Sequence, residues 1–321
     1  MHCDKVAKKC KFALYNFTKL KYNVAINKTR GTPPTMKGKI IMKKFIALFL
    51  AVLMLAACFA GCSKPADNTD GTTNGTEPKA EEKVVVVGYT IYAPMNYKEE
   101  GSDELIGFDT DLAKAVFEKM GYKVMFQEIN WDKKYTDLNS NAIDCVWNGF
   151  TCNCADEDDG IQRAEKVDFS YNYMENRQVI VVKADAAIAT AADLNGKLGA
   201  AEGGSAGETY AKSFEGAVIK GFGVQTECLR EVNAGTQDFA VVDAQLAKSY
   251  VGKGDYANLK IVEELSSDVE YYAIGFKKGS DLTAKVNEQL EALAKDGTIA
   301  KLAEKYGVAT TAITDFSDQK K

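Results

Sequence analysis

Three groups of residues that can hold charged atoms follow predicted strands or open predicted helices. Arg163 has a planar guanidinium that can donate two parallel hydrogen bonds to a carboxylate and does not lose its charge. The backbone amides of Gly203-Gly204-Ser205, together with the Ser205 hydroxyl, can donate to the same kind of anion. Asp243 ends the apolar run 239–242 and can accept hydrogen bonds from an ammonium group. Together these groups have the chemistry to hold a small zwitterion, whose two charges need partners once they leave water.

Each of these groups also has an ordinary interpretation. A lone arginine is usually a solvated surface charge, and a glycine pair is usually a plain turn. Asp243 can cap the helix that is predicted to start at Ala244, and this role is compatible with binding. Residue type alone therefore leaves both interpretations open.

The elements that would position these residues alternate between short β-rich runs and amphipathic helices. The predicted strands are 84–88, 122–129, 144–147, 178–183, 197–201, 218–222, 239–242 and 272–276. One predicted helix is capped by Asp109 and ended by Gly121, a short one carries Trp131, and a third spans 282–295. This alternation predicts an α/β fold, in which ligands bind beyond the carboxyl ends of strands.

Residues 42–61 are typical of a lipoprotein signal peptide. Met42-Lys43-Lys44 is basic, and the apolar run 45–57 that follows is short for a bilayer span and leads to small residues and cysteine. We predict Cys62 as the lipidated residue, with Cys58 as the alternative, and two acyl chains suffice for stable anchoring. An ordinary transmembrane or secretory segment with incidental cysteines is the other interpretation.

The segments on either side of this signal are predicted to lie outside the folded domain. Residues 1–41 contain ten basic side chains and one acid, and we interpret them as a non-native upstream extension with Met42 as the initiator. Residues 62–83 are polar and contain no large apolar residue after Cys62, so they cannot offset their ordering entropy. We expect them to form a flexible tether.

Composition excludes several classes of partner. Of the 321 residues 46% are apolar, which suffices for a sizeable core, and the net charge of -5 leaves an acidic body that repels nucleic acid. Four cysteines remain after the leader, and their spacing does not tell whether they pair: Cys145, Cys152, Cys154 and Cys228. The only histidine is His2, so the sequence predicts no metal site, and it indicates no cofactor.

Several motifs in order carry a resemblance to a known family. They are Ile106-Gly107-Phe108-Asp109-Thr110-Asp111-Leu112-Ala113, Trp147-Asn148-Gly149-Phe150-Thr151, Arg163-Ala164-Glu165-Lys166-Val167-Asp168-Phe169-Ser170, Asp193-Leu194-Asn195-Gly196-Lys197 and Asp238-Phe239-Ala240-Val241-Val242-Asp243. Over about 84–307 the chain resembles family 3 of the bacterial extracellular solute-binding proteins, the polar amino-acid receptors of ABC importers.

The resemblance implies a two-lobed periplasmic-binding-protein fold of type II with the substrate between the lobes. Lobe 1 would comprise 84–178 and 270–321, and lobe 2 would comprise 179–269. Two crossover strands, near 177–181 and 269–273, would act as the hinge.

The resemblance also implies roles for individual residues. Arg163 would clamp the substrate carboxylate, its place before Val167-Asp168-Phe169-Ser170 favouring this role, and Asp243 would bind the α-ammonium. The full set of predicted ligand-binding residues is Tyr92, Trp131, Gly149, Thr151, Arg163, Gly204, Ser205 and Asp243. In this set Tyr92 and Trp131 would stack on the substrate side chain, although aromatic residues at such spacings are usually core. Thr151 and the carbonyl of Gly149 would complete the polar ring. Trp147 is interpreted as structural.

One region departs from the family pattern, because residues 152–162 intervene between the Thr151 motif and Arg163. The acidic run 156–159 inside this insertion suggests the hypothesis of a cationic substrate side chain. A solvated loop is the alternative.

The sequence thus predicts an extracellular substrate-binding lipoprotein and no enzyme. It would be a monomer on the outer face of the cytoplasmic membrane, or on the periplasmic side in a Gram-negative cell, held there through the lipid anchor alone. It would carry a free amino acid, polar or cationic, to the transmembrane subunits of an ABC permease. The alternative is a dehydratase-like enzyme on the same scaffold acting on a small carboxylate, but no serine or cysteine nucleophile with an adjacent base is evident.

Overall fold

The computed structural model describes residues 82–156 and 158–320. The predictions for the extension 1–41, the signal peptide 42–61, Cys58 and Cys62, and the tether up to residue 81 lie outside these residues. Lys83, the last residue of the predicted tether, is instead the first residue of a strand. In the part of the chain that the structure describes, no helix combines the length and the apolar character needed to cross a bilayer.

The described chain alternates strands and helices. The strands are β1 (Lys83–Tyr89), β2 (Tyr122–Glu128), β3 (Cys145–Val146), β4 (Val167–Phe169), β5 (Met174–Asn176), β6 (Gln178–Lys183), β7 (Leu198–Glu202), β8 (Val218–Phe222), β9 (Phe239–Asp243), β10 (Leu259–Val262), β11 (Glu270–Tyr272) and β12 (Gly275–Lys277). The α-helices are α1 (Phe108–Lys119), α2 (Lys134–Asn139), α3 (Arg163–Lys166), α4 (Ala206–Lys212), α5 (Gln225–Ala234), α6 (Ala244–Tyr250), α7 (Leu282–Lys295) and α8 (Thr298–Lys305). The predicted α/β class is confirmed.

The strands form two five-stranded sheets, which we call with their helices the first and second lobes. The first sheet has the order β2-β1-β3-β12-β4 and the second the order β10-β6-β9-β7-β8. In the first sheet β1 pairs in parallel with β2 and β3. In the second, β7 pairs in parallel with β8 and β9. The carboxyl ends of these parallel strands are where this architecture places ligands.

A separate two-stranded ladder, β5 with β11, carries the chain between the two sheets. The first of these strands ends at Asn176, one residue before the stretch predicted for the first crossing, and β6 already belongs to the second sheet. The predicted strand 272–276 is in fact divided, because Tyr272 ends β11 and β12 begins at Gly275. The run 272–276 therefore contributes to both the ladder and the first sheet. Its apolar pattern is continuous and does not indicate where the strand is divided.

Helix α1 begins differently from the prediction. Gly107 is its N-cap residue, with a φ of 131°, and a Cβ there would lie 2.1 Å from the Met95 carbonyl oxygen, so only glycine fits. Asp109 lies inside the first turn and is fully buried. Its Oδ2 accepts hydrogen bonds from the Gly149 amide and the Tyr173 hydroxyl, both at 2.9 Å. Asp109 therefore ties α1 to the loop after β3 and does not cap the helix.

The four cysteines of the described residues are all free. Cys145 and Cys228 are buried, and Cys152 and Cys154 are partly exposed. Among residues 82–156 and 158–320, no group of three or more histidine, cysteine or acidic side chains is arranged to hold a metal ion.

Candidate binding site

One cavity gathers most of the predicted site residues. Loops that follow β1, β3, β7 and β9 contribute to its wall, which agrees with the general position of ligands in such sheets. The lining residues are Tyr92, Trp131, Asn148, Gly149, Thr151, Arg163, Glu202, Ser205, Ala206, Gln225 and Asp243. Of the predicted residues, only Gly204 is absent from this wall, and its carbonyl oxygen lies within hydrogen-bond distance of Arg163.

Arg163 is the first residue of α3 and is 1% exposed. Its Nε donates to Asp156 Oδ1 at 2.8 Å and its Nη1 donates to the Thr151 carbonyl at 3.1 Å. Its Nη2 donates at 3.2 Å to the carbonyl of Gly204, which belongs to the second lobe. Burial opposes the charge of the guanidinium, but neighbouring groups that include Asp156 raise the pKa of Arg163 above its ordinary value. The residue is therefore a fixed cation at the wall of the cavity.

The insertion before Arg163 supplies the counter-ion of that residue. Asp156 also accepts from Lys166 at 2.7 Å, and Asp159 forms a further ion pair with Lys166 at 2.7 Å. Burial alone would raise the pKa of Asp156, but Arg163 and Lys166 hold it at about 2. Asp156 is thus a buried acid and not part of a solvated loop, whereas Asp159 is exposed, as the solvated-loop alternative expects. Both acids are paired with cations of the protein, which leaves them no direct role in ligand selection.

The glycine turn after β7 differs from the expectation of free amides. The Gly203 amide donates to the Phe222 carbonyl at 2.9 Å, and the Gly204 amide donates to Glu208 Oε2 at 2.7 Å. The prediction that the Gly204 amide binds a ligand is therefore wrong, because the Glu208 side chain on α4 accepts its hydrogen bond. The Ser205 hydroxyl accepts from the Glu208 amide at 3.0 Å and keeps its own proton available to donate into the cavity.

Lys134 makes a second contact between the lobes at the same turn. Its Nζ donates to the Gly204 carbonyl at 2.9 Å and lies 5.2 Å from the Trp131 ring centroid and 4.7 Å from that of Tyr135. The side chain is buried, and burial with the nearby charge of Arg163 lowers the pKa of Lys134 to about 7. Two cations of the first lobe therefore converge on one carbonyl oxygen of the second.

Asp243 ends β9 and is 6% exposed. Its Oδ1 accepts from Asn176 Nδ2 at 2.7 Å and from Gln178 Nε2 at 2.6 Å, and its Oδ2 accepts from Gln225 Nε2. It occupies the N-cap position of α6, but its side chain makes no capping hydrogen bond. The carboxylate is therefore held by side-chain amides and not by the amides of α6, so the helix-cap interpretation is wrong.

A second carboxylate shares the donors of Asp243. Glu270, on the crossing strand β11, accepts from Asn176 at 2.5 Å and from Gln178 at 2.7 Å. Burial raises the pKa of both acids, and the charge of Asp243 raises that of Glu270 further. Neutral amides hold the pair, and no cation of the described residues forms an ion pair with either acid.

Glu202 is a wall residue that sequence reasoning missed. It ends β7, it is 4% exposed, and its Oε1 has no hydrogen-bond partner among the described residues. Burial, with a contribution from Asp243, raises the pKa of Glu202 to about 8. The sequence does contain a signal for Glu202. It directly follows the predicted strand 197–201, at the end where ligands bind, and it precedes the glycines of the predicted anion site by one residue.

Aromatic residues close the remaining sides. The hydroxyls of Tyr92 and Tyr272 are 2.7 Å apart, and Trp131 packs edge-on against Phe150 with ring centroids 5.3 Å apart. A Cβ on Gly149, whose φ is 57°, would lie 2.6 Å from the Tyr92 ring, so this position needs glycine. Trp147 lies in the hydrophobic core and not on the wall, as its structural interpretation requires.

Comparisons with known proteins agree with this architecture. The model of the bacterial extracellular solute-binding proteins, family 3, matches residues 84–309. The arginine-binding extracellular protein ArtP of Bacillus subtilis (strain 168) is 28% identical over 272 residues, which cover 83% of this chain and 98% of ArtP. The L-cystine-binding protein TcyA of the same organism is 30% identical over 271 residues, which cover 82% of this chain and 97% of TcyA.

Among solved structures, an ancestral arginine-binding protein bound to arginine superposes with a TM-score of 0.63 at 35% identity, covering 70% of this chain and 98% of that one. The likeness confirms the predicted two-lobed type II periplasmic-binding fold. These three relatives are named as amino-acid-binding proteins, which supports a binding function at the level of the family. On the extent of the family match, the chain belongs to the bacterial extracellular solute-binding proteins, family 3.

Proposed function

We propose that this protein captures a free amino acid between its two lobes and delivers it to the transmembrane subunits of an ABC permease. The observation that carries the proposal is the placement of Arg163, from the first lobe, and Asp243, from the second, on the wall of one cavity. A guanidinium can hold the carboxylate of a zwitterion and a carboxylate can hold its ammonium. A ligand that bridges the two lobes stabilises the closed arrangement over the open one.

The other wall residues complete this proposal. The Ser205 hydroxyl, Thr151 and the Gly149 carbonyl would supply the remaining polar contacts, and Tyr92 and Trp131 would pack against the side chain of the ligand. The predicted lobes, 84–178 with 270–321 and 179–269, would be hinged at the ladder of β5 and β11, with Gln178, the first residue of β6, on the side of the second lobe. The hydrogen bonds from Arg163 and Lys134 to the Gly204 carbonyl support a state in which the lobes meet.

In this proposal the protein works outside the cytoplasmic membrane as a monomer without a cofactor. Cys62, or alternatively Cys58, would carry the lipid that holds it at the surface. In this proposal the carboxyl groups of the wall hold charges of the ligand, and the bound amino acid is released unchanged.

The test is calorimetric titration of the full chain, prepared without the lipid, with each of the twenty amino acids. We expect at least one to bind with a dissociation constant of about 1 μM or below, which corresponds to about 8 kcal/mol. Turnover of the bound amino acid, followed by mass spectrometry, should be absent. If no amino acid binds, the proposal is overturned.

A paired substitution tests the ammonium site. Asp243→Asn removes the negative charge but keeps an oxygen that can accept from the surrounding amides, so we expect the fold to persist and affinity to fall at least about 100-fold, in line with the loss of a buried charged pair. Asp255→Asn, at an exposed residue of the second lobe, is the matched control and should bind normally. Equal affinity of both variants would contradict the proposed role of Asp243.

A further inference from the structure

Glu202 lines the cavity and has a buried side-chain oxygen that the described residues leave without a partner. The side chain is 4% exposed and lines the wall, and its Oε1 receives no hydrogen bond from the described residues. Burying a polar atom without a partner is costly, so such atoms are rare unless something else satisfies them. A ligand in the cavity could supply the hydrogen-bond donor that Glu202 Oε1 lacks.

The charges around the cavity indicate what kind of donor this is. Arg163 is paired with Asp156 at 2.8 Å, so its charge does not compensate the acids of the second lobe. Asp243 is held by amide groups of Asn176, Gln178 and Gln225, which carry no net charge. A neutral zwitterion would bring one ammonium for Asp243 and would offer Glu202 no cationic donor.

Lys134 does not fill this need. Lys134 contributes favourably to the electrostatic environment of Glu202, but its Nζ donates to the carbonyls of Gly204 and Trp131. No ion pair between Lys134 and Glu202 occurs within the 4.0 Å that such contacts require. Lys134 is therefore committed to the contact between the lobes.

We infer that Glu202 determines specificity by receiving a cationic group on the side chain of the ligand, so that the preferred substrate is an amino acid with an ammonium or guanidinium side chain. This inference rests on the proposed function and refines it. The acidic run 156–159, which suggests a cationic substrate from the sequence, has no part in it, because Asp156 and Asp159 are paired with Arg163 and Lys166.

The experiment compares ligands that differ in charge but hardly in shape: arginine with citrulline, and lysine with norleucine. Titration calorimetry is performed on the wild-type protein and on Glu202→Gln, which keeps the size of the side chain and removes its charge. Glu263→Gln is the matched control, since it removes one negative charge from an exposed residue of the same lobe. Thermal unfolding of each variant verifies that it is folded.

We expect the wild-type protein to bind the cationic member of at least one pair about tenfold or more tightly, a factor that corresponds to about 1.4 kcal/mol. Glu202→Gln should remove this preference, and Glu263→Gln should keep it. Equal affinity for both members of each pair in the wild type, or a preference that survives in Glu202→Gln, would overturn the inference while the proposed function stands. If no amino acid of any charge binds, the proposed function fails and this inference falls with it.

Discussion

The two sides of the cavity hold their charges in different ways. On the first lobe Arg163 lies against a full counter-ion, Asp156, and over the ring of Phe150, with 5.3 Å between the guanidinium carbon and the ring centroid. On the second lobe Asp243 is surrounded by neutral amides, and Glu202 has an oxygen that accepts from no group within residues 82–156 and 158–320. The positive side is thus balanced by the protein, and the negative side is not.

This difference explains the directions of the pKa shifts. The pKa of Asp156 is held at about 2 by its cations, so it stays ionised at every physiological pH. The pKa of Glu202 is raised to about 8 because burial disfavours its charge and Asp243 adds a repulsion. An unbalanced buried charge is costly, and a cation that enters the cavity removes that cost. The second lobe is therefore the side on which ligand binding changes electrostatics most.

The largest expected effect comes from breaking the balance on the first lobe. Arg163→Met should weaken binding of any amino acid at least about 100-fold and lower the free energy of unfolding by about 3 kcal/mol, since it removes the ligand clamp and leaves Asp156 with Lys166 alone. Calorimetry and urea unfolding measure the two effects separately.

The double variant Arg163→Met with Asp156→Asn sharpens this result. It removes both members of the buried pair, so most of the lost stability should return while binding stays lost. Recovery of affinity along with stability would mean that Arg163 acts only on the fold, and its proposed role as clamp would then be wrong.

An intermediate effect is expected from pH on the second lobe. Because a cationic ligand binds ionised Glu202, binding below its pKa of about 8 must expel a proton, so affinity should rise from pH 6 to pH 8 by up to about tenfold per pH unit. Asp243 and Glu227 raise this pKa and Lys134 lowers it, and Lys134 itself titrates near pH 7. Glu202→Gln should therefore reduce the slope of the profile, and the slope that remains reflects Lys134 and the acids Asp243 and Glu270, whose pKa values burial also raises. A wild-type affinity that is level across this range would contradict the contact with Glu202.

The contrast between the two sides also shows how far sequence reasoning reaches. The predicted strands 178–183 and 218–222 and the predicted helix 282–295 have the bounds of the structure, because apolar periodicity reports which face a residue buries. Arg163, Ser205 and Asp243 can be identified because of their places beside strands, and they share one cavity.

What the sequence could not reveal depends on contacts between distant residues. Asn176 and Gln178 hold Asp243 from the crossing strand and from β6, 67 and 65 positions away, and no local pattern encodes such pairs. Asp156 lies in an insertion that the family pattern does not describe, so its pairing with Arg163 could not be inferred. The expectation that the amides of Gly203 and Gly204 are free is wrong because the Phe222 carbonyl and the Glu208 side chain, which accept from them, cannot be placed from the sequence.

The smallest expected effect concerns the contact that joins the two sides. Lys134→Met keeps the apolar stem against Trp131 but removes the 2.9 Å hydrogen bond to the Gly204 carbonyl, a loss of about 1 kcal/mol that should weaken amino-acid binding about fivefold. The effect is limited because Arg163 continues to donate to the same oxygen, which is therefore not left without a partner. Lys133→Met, at the exposed neighbouring position, is the matched control and should bind as the wild type does. If both variants bound equally well, the Lys134 contact would contribute nothing to closure, and the junction between the lobes would depend on Arg163 and the ligand.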